Sequence, residues 1–125
     1  MSDFPEIEKI LDKDYDHEFP DIPRTREFNR EYIKAVKKIC KPYGIFVNSI
    51  YEWGGEYCEC SGFLQLDRKF CYFNSGDYRY NREDIFEHVL IRTAKDPLDF
   101  HGGPNHYTTL RGIAKKAMEL FEEEA

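Results

Sequence analysis

The sequence contains no long hydrophobic run: its 125 residues include no apolar stretch of the roughly 18 residues that a membrane-spanning helix needs. Its first residues are acidic and lack the apolar segment of a signal peptide. Both absences predict a cytoplasmic protein without a membrane partner. In that reducing compartment, the four cysteines are expected to remain thiols.

Motifs for a bound metal or cofactor are also missing. Cys58, Cys60 and Cys71 would share one face of a sheet, but there is no CxxC pair, and a flat sheet face cannot easily wrap a zinc ion. Neither a phosphate-binding loop nor a dinucleotide-binding glycine motif occurs. We therefore predict buried cysteines, no metal site and no cofactor.

No complete catalytic motif is present. A nucleophile needs a base within reach, and no known spacing joins such a pair here, so we predict no catalytic residue and favour a protein that is not an enzyme. Asp96, Asp99, His101 and His106 lie in one irregular stretch and could supply acid–base groups, because loops often carry function. Enzymatic activity therefore stays open.

The net charge of −6 is carried by the N-terminal segment. Residues 1–21 hold eight acids and two lysines, which leaves the rest of the chain neutral. We predict one domain over residues 1–125, in which residues 1–23 form an acidic arm with a short helix. The next helix carries a basic stripe, and the simplest interpretation is that the arm neutralises it. Because the arm would compete with phosphate, nucleic acid is not an expected partner.

The hydrophobic periodicity predicts an α+β fold. Helices are expected over residues 5–13, 25–41 and 109–123, with a short one near 81–86. A three-stranded meander over residues 44–74 and a strand over 88–94 would form an antiparallel sheet of about four strands, with helices mainly on one face. Two-residue turns at Gly54-Gly55 and Asp67-Arg68 would pair Trp53 with Glu56 and Leu66 with Lys69.

Side chains alternate along a strand, so this register sorts the meander into two faces. One is apolar and rich in thiols, and it is expected to pack against the helices. The other, called the aromatic face here, mixes aromatic and aliphatic side chains with amides and carboxylates. Its predicted partner-binding residues are Phe46, Ile50, Tyr57, Phe63, Phe70 and Tyr72. Aromatic patches with polar groups between them are typical of binding surfaces. A terminal segment, or a second copy of the chain in a two-fold homodimer, could also cover this face.

These features predict a non-catalytic interaction module that binds another protein through the aromatic face, the acidic arm or both, and that could also inhibit it. Charged residues in place of Phe63 and Tyr72 should then abolish binding while the fold stays intact. The size of the chain, its acidic arm and its aromatic composition are compatible with an accessory protein of a phage or mobile element.

The alternative hypothesis is a binder of a small anionic or nucleotide-like ligand at the loop around Gly102-Gly103-Pro104. This loop leads into the N-terminus of the last predicted helix, where N–H groups and the helix dipole attract anions. The candidate ligand-binding residues are Arg92, Lys95, His101, His106, Thr109 and Arg111. A structural loop that only caps the helix would explain the same residues.

Overall fold

The architecture comes from a computed structural model, which describes residues 3–12, 22–49, 59–79, 82–99 and 102–123. The predictions made for Ile50, Tyr57, Cys58 and His101, for the turn at Gly54-Gly55 and for residues 13–21 lie outside these ranges.

The described residues form the α+β fold that the periodicity predicts. The α-helices are α1 (Pro5–Leu11), α2 (Ile22–Cys40), α3 (Asp84–Glu87) and α4 (Ile113–Glu123), with a 3₁₀ turn (Lys41–Tyr43) after α2. The strands are β1 (Phe46–Ser49), β2 (Ser61–Leu66), β3 (Lys69–Asn74), β4 (Val89–Ala94) and β5 (His106–Thr108). Within the described ranges, no helix is both long enough and apolar enough to cross a membrane.

The five strands form one antiparallel sheet in chain order, β1 to β5. The predicted register of β2 and β3 is confirmed, because Leu66 pairs with Lys69. Asp67 has a φ of 56°, and a positive φ is what the first position of a primed two-residue turn requires.

The predicted register of β1 and β2 is wrong by two residues. Phe46 pairs with Gln65, whereas a two-residue turn at Gly54-Gly55 would pair it with Phe63. Because side chains alternate with a period of two, a shift of two residues leaves every side chain on its predicted face.

Strand β5 was not predicted, since its three residues lie in a stretch that has no clear period. It pairs with β4 through Leu90 and Tyr107. The preceding loop approaches β4 closely, and the Gly103 N–H donates a hydrogen bond of 3.0 Å to the Thr93 carbonyl. A Cβ at Gly102 would lie 1.9 Å from that carbonyl oxygen. The glycine pair therefore provides room for close backbone packing; neither glycine has a positive φ.

The main hydrophobic core lies between one face of the sheet and helices α1, α2 and α4. The sheet contributes the predicted apolar, thiol-rich face, with Ile45, Val47, Cys60, Leu64, Cys71, Phe73, Val89 and Ile91. The helices contribute the apolar stripes that define them, with Ile7, Phe28, Tyr32, Val36, Ile113, Ala117 and Leu120. Tyr32 is completely buried, and its hydroxyl donates a hydrogen bond of 2.7 Å to the Ile85 carbonyl.

Within residues 3–12, the described part of the acidic arm, helix α1 packs against α2, and the ion pairs to Arg82 and Arg111 reach positions outside α2. Arg82 pairs with Glu8 and, at 2.6 Å, with Asp12, while Arg111 pairs with Asp3. The basic stripe, which runs along α2 and into the 3₁₀ turn, is exposed, with Arg26, Arg30, Lys34, Lys37, Lys38 and Lys41. Within residues 3–12, these ion pairs anchor α1 to Arg82 and Arg111, while Asp3 and Glu6 line one groove with Lys34 and Lys38 of the stripe. Neutralisation of the stripe by the arm stays a prediction.

Candidate partner-binding face

The second face of the sheet carries a separate hydrophobic cluster. Phe63, Tyr72 and Ala94 form its centre, and Phe70 and Leu90 pack against it. The described members of this cluster all belong to strands, whereas the helices join the main core on the opposite side. The aromatic face therefore extends across the whole sheet, because β4 and β5 add side chains that the predicted meander did not include.

The aromatic face has a buried centre and exposed margins. Phe63 is 1% exposed and Tyr72 is 8% exposed, and their rings meet edge to face with centroids 5.5 Å apart. Phe46 on β1 is 64% exposed. Substitution of Phe63 and Tyr72 by charged residues is therefore an unsuitable test of binding. A charge at the buried Phe63 would disrupt packing, so a loss of binding could result from a loss of folding.

Tyr107 is a member of this face that sequence reasoning missed. It lies opposite Leu90 on β5, is 49% exposed, and stacks on His88 with ring centroids 4.0 Å apart and an interplanar angle of 8°. Its place on the face follows from the pairing of β4 with β5. The aromatic face therefore ends in an exposed aromatic residue on each outer strand, Phe46 on β1 and Tyr107 on β5.

Arg92, which was predicted as a ligand-binding residue, lies on the aromatic face. Its guanidinium carbon is 4.9 Å from the centre of the Tyr72 ring, a cation–π arrangement. Its Nη1 donates a hydrogen bond of 3.2 Å to Asn105 Oδ1. Its Nε is buried and has no hydrogen-bond partner in the described part of the chain.

The other half-buried arginine of the described residues is fully paired. Arg79 binds Asp77 with two nitrogens, Nε at 3.1 Å and Nη2 at 2.7 Å. This side-by-side geometry is the strongest arrangement for an arginine and a carboxylate. Arg92 has no carboxylate partner of this kind among the described residues.

The structure does not bring the candidate ligand-binding residues into one site. His106 pairs with Ile91, whose side chain is in the main core, so His106 and Arg92 lie on opposite faces of the sheet. Lys95 is exposed in the loop that follows β4. The described lining of the cleft that holds Thr109 and Arg111 does not include Arg92.

That cleft, of about 370 Å³, is poorly suited to an anion. Its lining includes the carboxylates Asp3, Glu8 and Glu87 beside Arg111, and Arg111 is already paired with Asp3. The carboxylates outnumber the arginine, so a negatively charged ligand would be repelled. Binding of an anion by Thr109 and Arg111 thus stays a prediction without support from the local charge.

Helix α4 begins at Ile113, whereas the pattern predicted residue 109. Thr109 accepts hydrogen bonds from the Gly112 N–H, at 3.0 Å through its hydroxyl and at 3.1 Å through its carbonyl. The Ile113 N–H donates to the Leu110 carbonyl at 3.2 Å. A turn therefore precedes the helix and occupies N–H groups that an anion would need.

The buried cysteines are poorly suited to nucleophilic chemistry. Burial raises the pKa of Cys40 from its ordinary value of 9.0 to about 12, and burial raises the pKa of Cys60 further. Both side chains are therefore protonated thiols at neutral pH, and the thiolate is the reactive form. Among residues 3–12, 22–49, 59–79, 82–99 and 102–123, no group of three or more His, Cys, Asp or Glu side chains could hold a metal ion.

Comparison with protein-family models, with curated proteins and with solved structures gives no match for this chain.

Proposed function

We propose that this protein is a non-catalytic interaction module that binds another protein through the aromatic face. The observation that carries the proposal is the exposure of Phe46 and Tyr107 on the two outer strands of a face without described helices. Four strand spacings separate β1 from β5, which corresponds to about 19 Å. A partner that contacts both aromatic residues would therefore lie across the entire sheet.

The composition of this face supports the proposal. Aromatic residues and arginine are enriched in the centres of protein–protein interfaces and at their energetic hot spots. The aromatic face presents Phe46, Phe70 and Tyr107 with Arg92 and the amide side chains of Asn48 and Asn105. Phe63 and Tyr72 form the buried centre of the same face.

A cytoplasmic location and an inhibitory role belong to the same proposal. The buried thiols of Cys40 and Cys60 support a reducing compartment. Coverage of a partner's surface by the aromatic face would inhibit that partner, and the composition is compatible with an accessory role of this kind in a phage or mobile element. A second copy of the chain is the alternative occupant, and the mass of the purified protein in light scattering distinguishes a homodimer from a monomer.

The proposal can be tested with a random library of displayed 16-residue peptides selected against the intact protein. Peptides that are enriched over bare support are synthesised and their affinities measured for Phe46→Glu and Tyr107→Glu. The matched control is Tyr43→Glu. The exposed fraction of Tyr43, 45%, is similar to the 49% of Tyr107, but Tyr43 lies in the 3₁₀ turn outside the sheet. Thermal unfolding confirms that each variant is folded.

We expect both face variants to lose binding while Tyr43→Glu keeps it, since a charge at a well-packed contact is costly to desolvate. Peptides that bind all variants equally, or that lose binding only at Tyr43, would show that the aromatic face is not the preferred binding surface. Failure to enrich any peptide from the library would likewise count against an interaction module.

A further inference from the structure

We infer that the partner presents a carboxylate to Arg92, from an acidic side chain flanked by apolar residues. This inference rests on the proposed function and defines the chemistry of the partner at the aromatic face. A guanidinium has five N–H donors, and Arg92 makes one hydrogen bond, to Asn105, within the described residues.

Arg92 is partly desolvated and keeps Nη donors that a partner group can reach. Arg92 is half-buried, so part of its guanidinium has lost contact with water, and its buried Nε has gained no acceptor in return. Desolvated donors without acceptors are unfavourable, and natural proteins rarely leave them unexplained. Because Nε is closed to an outside ligand, a carboxylate from a partner would be bound by the Nη nitrogens, of which Nη1 also donates to Asn105.

The guanidinium is also held in a fixed orientation. The Tyr72 ring lies 4.9 Å below it, and Asn105 binds Nη1 at 3.2 Å. Tyr72 is itself positioned by a hydrogen bond of 3.0 Å, in which Asn74 Nδ2 donates to the Tyr72 hydroxyl. A planar donor group that is oriented in advance binds a planar acceptor with little loss of entropy, and a carboxylate is the planar anion that matches it.

The surroundings of Arg92 favour a carboxylate on a protein over a phosphate on a nucleic acid. Phe70, Leu90 and Tyr107 provide apolar contact area on the same face, which suits an acidic residue between apolar neighbours. Among the described side chains of this face, Arg92 is the one arginine or lysine, whereas a nucleic acid is bound by several such cations at once. A single acidic side chain in an apolar setting matches the site better.

The test uses the peptides selected above, each made also in a form with its acidic residues changed to the corresponding amides. Affinities are measured for the native protein, for Arg92→Gln and for Arg92→Lys. The control is Arg68→Gln, which loses the same charge at an exposed turn between β2 and β3. Thermal unfolding of the variants shows whether each remains folded.

We expect the enriched peptides to contain an acidic residue and Arg92→Gln to weaken their binding about tenfold or more, as for a charge-assisted hydrogen bond. Arg92→Gln should have little effect on the amide peptides, because the two changes remove the same interaction. Arg92→Lys should restore part of the affinity, and Arg68→Gln should change it less than about twofold.

Three outcomes would overturn the inference. The first is enrichment of peptides without acidic residues, and the second is an equal effect of Arg92→Gln and Arg68→Gln. The third is displacement of the peptide by inorganic phosphate or oligothymidylate at concentrations where sodium acetate has no effect, which would identify a phosphate ligand. If Phe46→Glu and Tyr107→Glu still abolish binding in these cases, the proposed function stands and only the carboxylate is wrong.

Discussion

The contact between Gly103 and Thr93 provides the sharpest test of how β5 joins the sheet. A Cβ at Gly103 would lie 2.4 Å from Thr93 Oγ1 and 3.7 Å from Thr93 Cβ. The first distance is a severe overlap, whereas the second is an ordinary contact. Gly103→Ala should therefore be destabilising because of one side-chain oxygen, and Thr93→Ala should relieve the overlap by removing that oxygen.

The expected magnitude follows from two opposing effects. Overpacking of this kind costs about 1–3 kcal/mol, while replacement of glycine by alanine stabilises by roughly 0.4–1 kcal/mol through the unfolded chain. The net loss for Gly103→Ala should be about 1–2 kcal/mol. At about 4 °C per kcal/mol for a chain of this length, the Tm should fall by about 4–8 °C.

The assay is a double-mutant cycle measured by urea and thermal unfolding. Gly103→Ala combined with Thr93→Ala should recover most of the loss, with a coupling energy of about 1–2 kcal/mol. The contrasting variant is Gly102→Ala, whose Cβ would lie 1.9 Å from the Thr93 backbone oxygen. Thr93→Ala leaves that oxygen in place, so it should not rescue Gly102→Ala.

Two results would refute this account of the loop. One is a Gly103→Ala variant that is as stable as the native protein. The other is a loss that Thr93→Ala does not reduce, which would mean that the methyl group meets something other than the hydroxyl.

Three further predictions concern the core and the attachment of α1. Tyr32→Phe should destabilise by about 1–2 kcal/mol in urea unfolding, because the Ile85 carbonyl loses its hydrogen bond inside the core; a change of less than a few tenths would contradict this. The pKa of Cys40 is raised from 9.0 to about 12, so its thiol contributes stability that is complete below pH 9 and is lost as the pH rises from 9 to 12. The free energy of unfolding should therefore fall by up to about 1.4 kcal/mol per pH unit in this range. The fall should be smaller in Cys40→Ala, and equal dependence of the unfolding free energy on pH in the two proteins would disprove the prediction. Arg82→Ala removes the pairs with Glu8 and Asp12, so amide hydrogen exchange in α1 should accelerate at low salt while the Tm changes little; unchanged exchange would show that packing alone holds α1.

The elements that sequence reasoning predicted correctly are those with a strong local signal. Helix α2 has an apolar stripe with a helical period over 19 residues, and the turn at Asp67-Arg68 sets the register of β2 and β3. The predicted register of β1 was wrong by two residues, but the side chains were still assigned to the correct faces, because side chains alternate with a period of two. These features depend on neighbours in the chain, so a single sequence contains the information.

Strand β5 and the position of Tyr107 could not be predicted in the same way. Three residues are too few to show a period, and their pairing with β4 depends on close backbone packing of Gly102 and Gly103 against Thr93. The sequence pattern instead predicted that these glycines belong to a loop that binds an anionic ligand. The contact with β4 shows that these positions require glycine because a Cβ there would overlap Thr93.

The amino-acid sequence by itself determined the fold class, the second hairpin and the division of the sheet into two faces, because these follow from periodicity and turn chemistry. Tertiary structure alone decided that Phe63 is buried while Phe46 and Tyr107 are exposed. It also placed Arg92 over Tyr72 and His106 on the opposite face. Those relations depend on which strands become neighbours, and strand pairing joins residues that are far apart in the chain.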